Sequence, residues 1–329
     1  MSIQTSDADL RNSQSTPVNF TGPLSGDVHG AQGATQVVGV QASVRNALLA
    51  FINGMSYVVA PSPGGMDLSV LAAIAAADAT ASGRANSFTV DFSNVTSIAS
   101  TQAFVFDGVQ NFKNLGTFLA AVEAKELGSY SFQNCGLTDL SALIAAATTL
   151  SGIISFEGRS FYLGGNPTTG STGNITMAGP VSPPDYNGPR LYLNNCGYTS
   201  VGTLSIGLNA VLDLSNNAIT AIDLSGAGIS MPGYGNLSFA GNPVTTVTPG
   251  DGTTTGIILF ANGVLSFNGC ALNNANQNGL LAALVAMETA QPGNNAMLDL
   301  SGGTNATPDT TGLAAITTLS TAGWTIYNN

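Results

Sequence analysis

A short frame of apolar and polar positions returns along most of this chain. In LDLSNNAITAI, beginning at Leu212, two apolar residues flank one polar residue, Asn217 stands five positions after the first, and Ile219 and Ile222 follow. The frame recurs in SYSFQNCGLTDL from Ser129, FYLGGNP from Phe161, LYLNNCGYTSV from Leu191, LSFAGNPVTTV from Leu237 and LSFNGCAL from Leu265. Looser copies begin at Val90, Leu298 and Trp324, so that nine units follow one another at spacings of 21 to 40 residues. Alternating side chains leave a strand on opposite faces, so the apolar pair of each unit points inward and the residue between them outward. The outward set is then Asp91, Ser131, Tyr162, Tyr192, Asp213, Ser238, Ser266, Asp299 and Thr325.

The fifth position of the frame falls where the chain must turn beside a crowded core. It holds Cys135, Asn166, Cys196, Asn217, Asn242, Cys270 and Asn329, and all three cysteines of the chain land there. A buried asparagine satisfies turn backbone groups through its amide, and a cysteine fits as a small hydrophobe with a weak donor. The slot therefore reads as a structural ladder, with reduced thiols and no disulfide. Between the units, 112–127, 139–150, 276–290 and 310–322 have the Ala/Leu content and three-to-four spacing of helices. Residues 67–83 predict a helix after the PSPGG breaker, and 42–55 predict an amphipathic helix with Val44, Leu48, Leu49 and Ile52 on one face. The returns between Asn166 and Leu265 are rich in Thr, Gly and Pro and are expected to be irregular or extended.

This frame resembles the leucine-rich repeat, L-x-x-L-x-L-x-x-N/C-x-L, over about residues 86–329. The resemblance implies an α/β repeat solenoid of parallel strands with helices in some return segments. Residues 41–85 are expected to form a helical linker and N-terminal cap. Residues 1–40 lack helical periodicity, abound in turn formers and predict an extended arm. Within that arm FTGPLSGDVHGAQGATQVV (20–38) resembles glycine-punctuated segments of bacteriophage tail-fibre and related virion proteins, where such stretches commonly trimerise. That second resemblance implies attachment or oligomerisation through the arm, as a homo-oligomer (a trimer above all) or with other virion proteins.

Composition narrows the function. The 329 residues include 44% hydrophobic but only 8% charged residues, with 7 Lys+Arg against 18 Asp+Glu. Phosphate neutralisation needs clustered cations, so nucleic acid is not an expected partner. The chain has no long uninterrupted apolar run for a membrane span, and no basic and apolar leader of the Sec type. The only histidine is His29, and neither a nucleophile elbow, a P-loop nor a zinc-binding spacing is present. No cofactor or metal is expected; the Gly/Asp loop at 248–256 has too few carboxylates for a calcium site. Asp213 and Asp299 sit three strand steps apart, about 14 Å at a spacing of about 4.8 Å. Paired glycosidase carboxylates need about 5–9.5 Å.

Ligand contact is the chemistry the frame does suggest. Tyr162 and Tyr192 occupy the same outward slot on successive strands, with Arg190 beside them and Asp213 one strand on. Aromatic faces with hydrogen-bonding neighbours suit a sugar ring. These readings together point to a non-enzymatic structural or adhesive component of an extracellular assembly. A phage virion fibre or receptor-binding protein heads them, on a virion or an extracellular surface, with a host-surface glycan or protein as the outside partner. The alternatives are a bacterial surface or filament-forming protein, and a polysaccharide-degrading fibre enzyme.

Overall fold

A computed structural model describes residues 28–29, 36–99, 103–123, 128–148, 159–177, 188–207, 209–226, 228–230, 235–259 and 261–329. It is an α/β structure of mostly parallel strands with helices between some of them. The chain divides into two compact units, Met1–Phe51 and Ile52–Asn329. Most of the expected arm, 1–27 and 30–35, lies outside the described residues. In what is described of it, Val28–His29 pairs antiparallel with Gln36–Val37.

The core of Ile52–Asn329 is a ten-stranded parallel sheet whose order follows the chain. Its strands are Met66–Asp67, Ala103–Val105, Ser129–Ser131, Ser160–Tyr162, Arg190–Tyr192, Val211–Asp213, Asn236–Ser238, Val264–Ser266, Met297–Asp299 and Thr325–Tyr327. Register is kept from one to the next, with Tyr130, Phe161, Leu191, Leu212, Leu237, Leu265 and Leu298 in one row. That row is buried. So is a second row two residues on, Phe132, Leu163, Leu193, Leu214, Phe239, Phe267 and Leu300. The residue between the two rows faces out, half-buried at Tyr162, Tyr192, Asp213, Ser238, Ser266 and Asp299.

Six helices are described: Val38–Asn53, Ser69–Ser82, Leu115–Glu123, Ser141–Thr148, Asn274–Ala290 and Thr310–Thr321. Local chemistry sets their ends. Asp309 accepts from the N–H groups of Thr311 and Gly312, and Asn273 accepts from that of Asn276, satisfying donors that have no partner within the helix. Ser69–Ser82 stops at Gly83, at φ 68°. The core is aromatic where helices form the returns, with Phe106 5.0 Å from Phe132 and Tyr130 5.0 Å from Phe161. It is leucine-rich at Leu191, Leu193, Leu212 and Leu214, where the returns are strands.

Arg159, fully buried, donates from Nη1 to Ala146 O at 2.8 Å, near the carbonyl end of Ser141–Thr148. A weaker contact of 3.5 Å reaches Val122 O at the end of Leu115–Glu123. The guanidinium thus lies at the negative ends of two successive helix dipoles.

Asparagines and cysteines stitch the rungs at their turns. Asn166 donates from Nδ2 to Phe132 O and Leu163 O, and its Oδ1 accepts from Cys135 N and Leu137 N. Asn217 donates to Leu193 O and Leu214 O and accepts from Cys196 N, Gly197 N and Tyr198 N. Asn242 donates to Leu214 O and Phe239 O. The cysteines take the same carbonyl of the rung before with their single S–H: Cys135 to Phe106 O at 3.1 Å, Cys196 to Leu163 O at 3.2 Å, Cys270 to Phe239 O at 3.4 Å. The residue just before the slot is left-handed, as Asn134, Gly165, Asn195, Asn216, Gly241 and Gly269. Only glycine and asparagine adopt that conformation routinely. At Gly165 a Cβ would also collide with Asn134 Oδ1 of the neighbouring turn.

Two expectations are corrected, at Val90 and at Asn329, and two others gain detail. The unit at Val90 lies outside the ten-stranded sheet; Thr89–Asp91 is the middle strand of a separate parallel sheet with Ser56–Val58 and Asn111–Lys113. Within 41–85, expected to form a helical linker and N-terminal cap, Ser56–Val58 and Met66–Asp67 are short strands of the two sheets, and the second compact unit begins at Ile52. The returns between Asn166 and Leu265, expected to be irregular or extended, are extended in part, with short strands in a four-stranded and a two-stranded parallel sheet. Lastly, Asn329 does not hold the ladder slot. Ile326 pairs with Leu298 and Tyr327 with Asp299, so Tyr327 rather than Thr325 is the outward residue of that row. In the rung before it, from Leu298, the slot is filled by buried Asn305, which donates to Phe267 O and Leu300 O and accepts from Leu272 N. Asn329 is exposed and bonds the backbone of Gly302 and Asn305.

Candidate functional site

The outward row of the ten-stranded sheet carries the candidate site. Tyr162 and Tyr192 are partners in register, and their rings stack with centroids 4.7 Å apart and planes 4° from parallel. The separation is that of neighbouring strands, so the backbone imposes the stack. Each ring keeps one face directed away from its partner. On the Tyr192 side Asp213 is the next residue in the row, and Arg190 lies two residues back along the same strand. Burial raises the Tyr192 phenol above its ordinary value, helped by the Tyr162 hydroxyl and opposed by the Arg190 guanidinium and its hydrogen bond.

On the Tyr162 side the next residue is the small Ser131, and a polar cluster covers it. Ser131 donates to Asp107 Oδ1 at 2.6 Å. Gln133 gives the same oxygen its backbone N–H at 2.9 Å, and its side-chain amide donates to Ser131 Oγ at 3.2 Å. Asp107 and Gln133 therefore belong to this face, although the repeat frame gave no reason to select them. The signal was indirect: a serine between two tyrosines and bulkier neighbours leaves a gap that adjoining side chains fold over.

The aspartates of this sheet, Asp67, Asp213 and Asp299, have other work, and Asp91, Asp139 and Asp223 elsewhere share it. Asp67, Asp91, Asp139, Asp213, Asp223 and Asp299 each accept through Oδ1 from the backbone N–H two residues on, a serine in every case. The sequence shows this as D-L-S or D-F-S written six times. These are Asx turns that start the bend after a strand. At Asp67 and Asp223 the serine hydroxyl and N–H hold the carboxyl below its ordinary value; at Asp91 the Asn114 amide does so first, and at Asp139 the Ser141 N–H. A general acid needs the opposite shift. Asp213 and Asp299 stand in one row with Ser238 and Ser266 between them, three strand steps apart.

In the 248–256 loop the Asp251 carboxylate is closed into its own turn by the Thr254 hydroxyl and by the N–H groups of Thr255, Thr254 and Thr253, which together hold it well below the usual carboxylate range. Among the described residues no group of three His, Cys, Asp or Glu is placed to hold a metal ion. The three thiols are buried and free. Burial pushes Cys135 up to about 12 and Cys196 and Cys270 up to about 11. No helix among the described residues is long and apolar enough to cross a membrane. No family model, curated protein or solved structure matches the chain.

Proposed function

We propose that the chain is a leucine-rich-repeat-like solenoid and serves as a non-enzymatic structural or adhesive component of an extracellular assembly, of the kind found in phage virion fibres and receptor-binding proteins. The stacked Tyr162–Tyr192 pair carries the adhesive part of this reading. Two stacked aromatic rings, flanked in the outward row by Ser131 and Asp213, form a ridge that a sugar ring continues at the same spacing. Hydrogen-bonding groups flank it on both sides: Asp107 and Gln133 beyond Tyr162, Arg190 and Asp213 beside Tyr192. Aromatic contact with polar groups at the rim is the chemistry that selects a carbohydrate. The ligand is accordingly a surface glycan, and the arm at 1–40 supplies attachment or oligomerisation.

The turn-bound carboxylates support the non-enzymatic reading over a depolymerase, because each has an oxygen engaged in its own turn, and Asp67, Asp91, Asp139 and Asp223 are held below their ordinary values, opposite to an acid catalyst. A filament-forming bacterial surface protein is the second reading, favoured by the open edges of the long sheet. Glycan-array and calorimetric binding with Tyr162→Ala/Tyr192→Ala tests the first. Both rings are half-buried on the outer face, so the variant is expected to fold and to lose at least tenfold in glycan affinity. Unchanged binding by the folded variant rejects the ridge as the contact.

A further inference from the structure

Past the ladder turn of three successive rungs the fold leaves a cleft of about 180 Å3 that the tyrosine ridge does not use. It lies where a helical return meets extended ones. Leu140 and Ile144 come from the start of Ser141–Thr148, on the rung of Ser129–Ser131. Thr168 and Thr172 come from the return after Ser160–Tyr162, and Tyr198 from the return after Arg190–Tyr192. These five residues are buried, while Asp139 and Ser141 form an exposed rim.

The buried hydroxyls have already placed their protons. Thr168 donates to Cys196 O and Thr172 to Gly173 O, each at 2.8 Å. The Tyr198 hydroxyl hydrogen-bonds the Thr168 side chain, and since the threonine proton is spent, the phenol is the donor there. A hydroxyl has two acceptor lone pairs beside its single proton, so these three groups offer the cleft acceptors. Asp139 adds a carboxylate at the rim. Its Oδ1 takes the Ser141 N–H at 2.8 Å, a bond that favours the charged form. Among the described residues no lysine, arginine or histidine lines the cleft.

Acceptors without a cation select the ligand. A phosphate, sulfate or carboxylate brings further acceptors and a charge of the same sign as Asp139. An ammonium gathers its donors at one atom, whereas the acceptors here are spread over rim and floor, with Leu140, Ile144 and the Tyr198 ring among them. A neutral sugar carries hydroxyl donors around a ring with an apolar C–H face and meets both kinds of surface. The cleft is smaller than the about 300–1,000 Å3 of pockets for drug-sized ligands, which limits the occupant to one ring. We propose that this cleft is a separate carbohydrate subsite for one neutral monosaccharide unit, with Asp139 accepting from its hydroxyls at the rim and Thr168, Thr172 and Tyr198 accepting at the floor. The inference goes beyond the glycan reading of the Tyr162–Tyr192 ridge and does not depend on it.

Calorimetry and saturation-transfer NMR with the methyl glycosides of glucose, galactose, mannose and N-acetylglucosamine test this on the full chain. They are run on the wild type and on Tyr162→Ala/Tyr192→Ala, where the ridge contributes nothing, so that failure of the ridge and failure of the cleft are told apart. Into that second background go Asp139→Asn, which removes the charge but keeps a side chain able to start the helix, and Tyr198→Phe, which removes one hydroxyl. Circular-dichroism melting checks folding, and the exposed position of Asp139 keeps the test decisive even if Tyr198→Phe is destabilised. At least one glycoside is expected to bind without the ridge, and its affinity to fall at least tenfold in Asp139→Asn and in folded Tyr198→Phe. Inorganic phosphate and methylammonium are expected not to displace it. No binding of any of the four glycosides in the ridge-less background, undiminished binding by Asp139→Asn, or displacement by either ion overturns the proposal.

Discussion

Asn217 shows how much one side chain does in this chain. Its amide donates to two carbonyls on adjacent rungs, and its oxygen takes three consecutive N–H groups of the turn at Cys196. Cys196, in the same slot, supplies a single weak S–H bond. Asn217→Ala is therefore expected to destabilise by about 1–3 kcal/mol, since it strands buried backbone groups, and Cys196→Ala by less from lost hydrogen bonding. Urea unfolding of the two variants checks the order; equal small losses would mean that water replaces the amide. The slot was legible because asparagine and cysteine recurred in register. Asn305 was not, because the extra residues in Ser301–Gly302–Gly303–Thr304 set it seven positions after Leu298 rather than five. Asn329 enters for a different reason: counting the last frame from Trp324 places it in the slot, whereas the register puts Ile326 in the row with Leu298.

At the scale of elements, the six helices could be read from Ala/Leu content and three-to-four spacing. The short strands of the middle could not, since three residues are too few for alternation to register and Thr, Gly and Pro suit turns equally well. Tertiary contacts fix the helices in ways the sequence did not signal. Glu288, on Asn274–Ala290, is buried and accepts from Trp324 Nε1 at 3.0 Å, Asn294 Nδ2 at 2.7 Å and Gly293 N at 2.6 Å. Burial alone would push its carboxyl up, but these hydrogen bonds outweigh it and hold the group below its ordinary value. A lowered folded-state pKa gives stability that is present above the unfolded value and lost as pH falls through the folded one. The hold on Trp324 should thus be full at neutral pH and weaken below the ordinary carboxylate range. Trp324, the sole tryptophan, reports it: its fluorescence should change on acidification in the wild type and less in Glu288→Gln, and identical acid profiles would contradict the assignment.

For the whole molecule, the parallel order of strands could be read from the chain because each rung restates the same apolar pair. What escaped was the start. The frame at Val90 is sound locally, with Val90 and Phe92 buried, yet its strand joins a second sheet. Short strands at Ser56–Val58 and Met66–Asp67, too brief to show a period, carry the body back to Ile52. Tyr162 and Tyr192 came together because register fixes rows, while Asp107 and Gln133 reach the same face through a turn and carry no periodic mark.

Every functional statement rests on which face of the long sheet is inside, and a register slip of one residue would exchange the faces. Thiol titration of the native protein decides this most directly. With Cys135, Cys196 and Cys270 buried at 0%, 1% and 1% exposure and their pKa values pushed up to about 11–12, no thiol should react under native conditions at pH 8. All three should react on denaturation without reductant. A stoichiometric native reaction at any one of them, or fewer than three free thiols after unfolding, would contradict the register and with it the assignment of the tyrosine face to the outside.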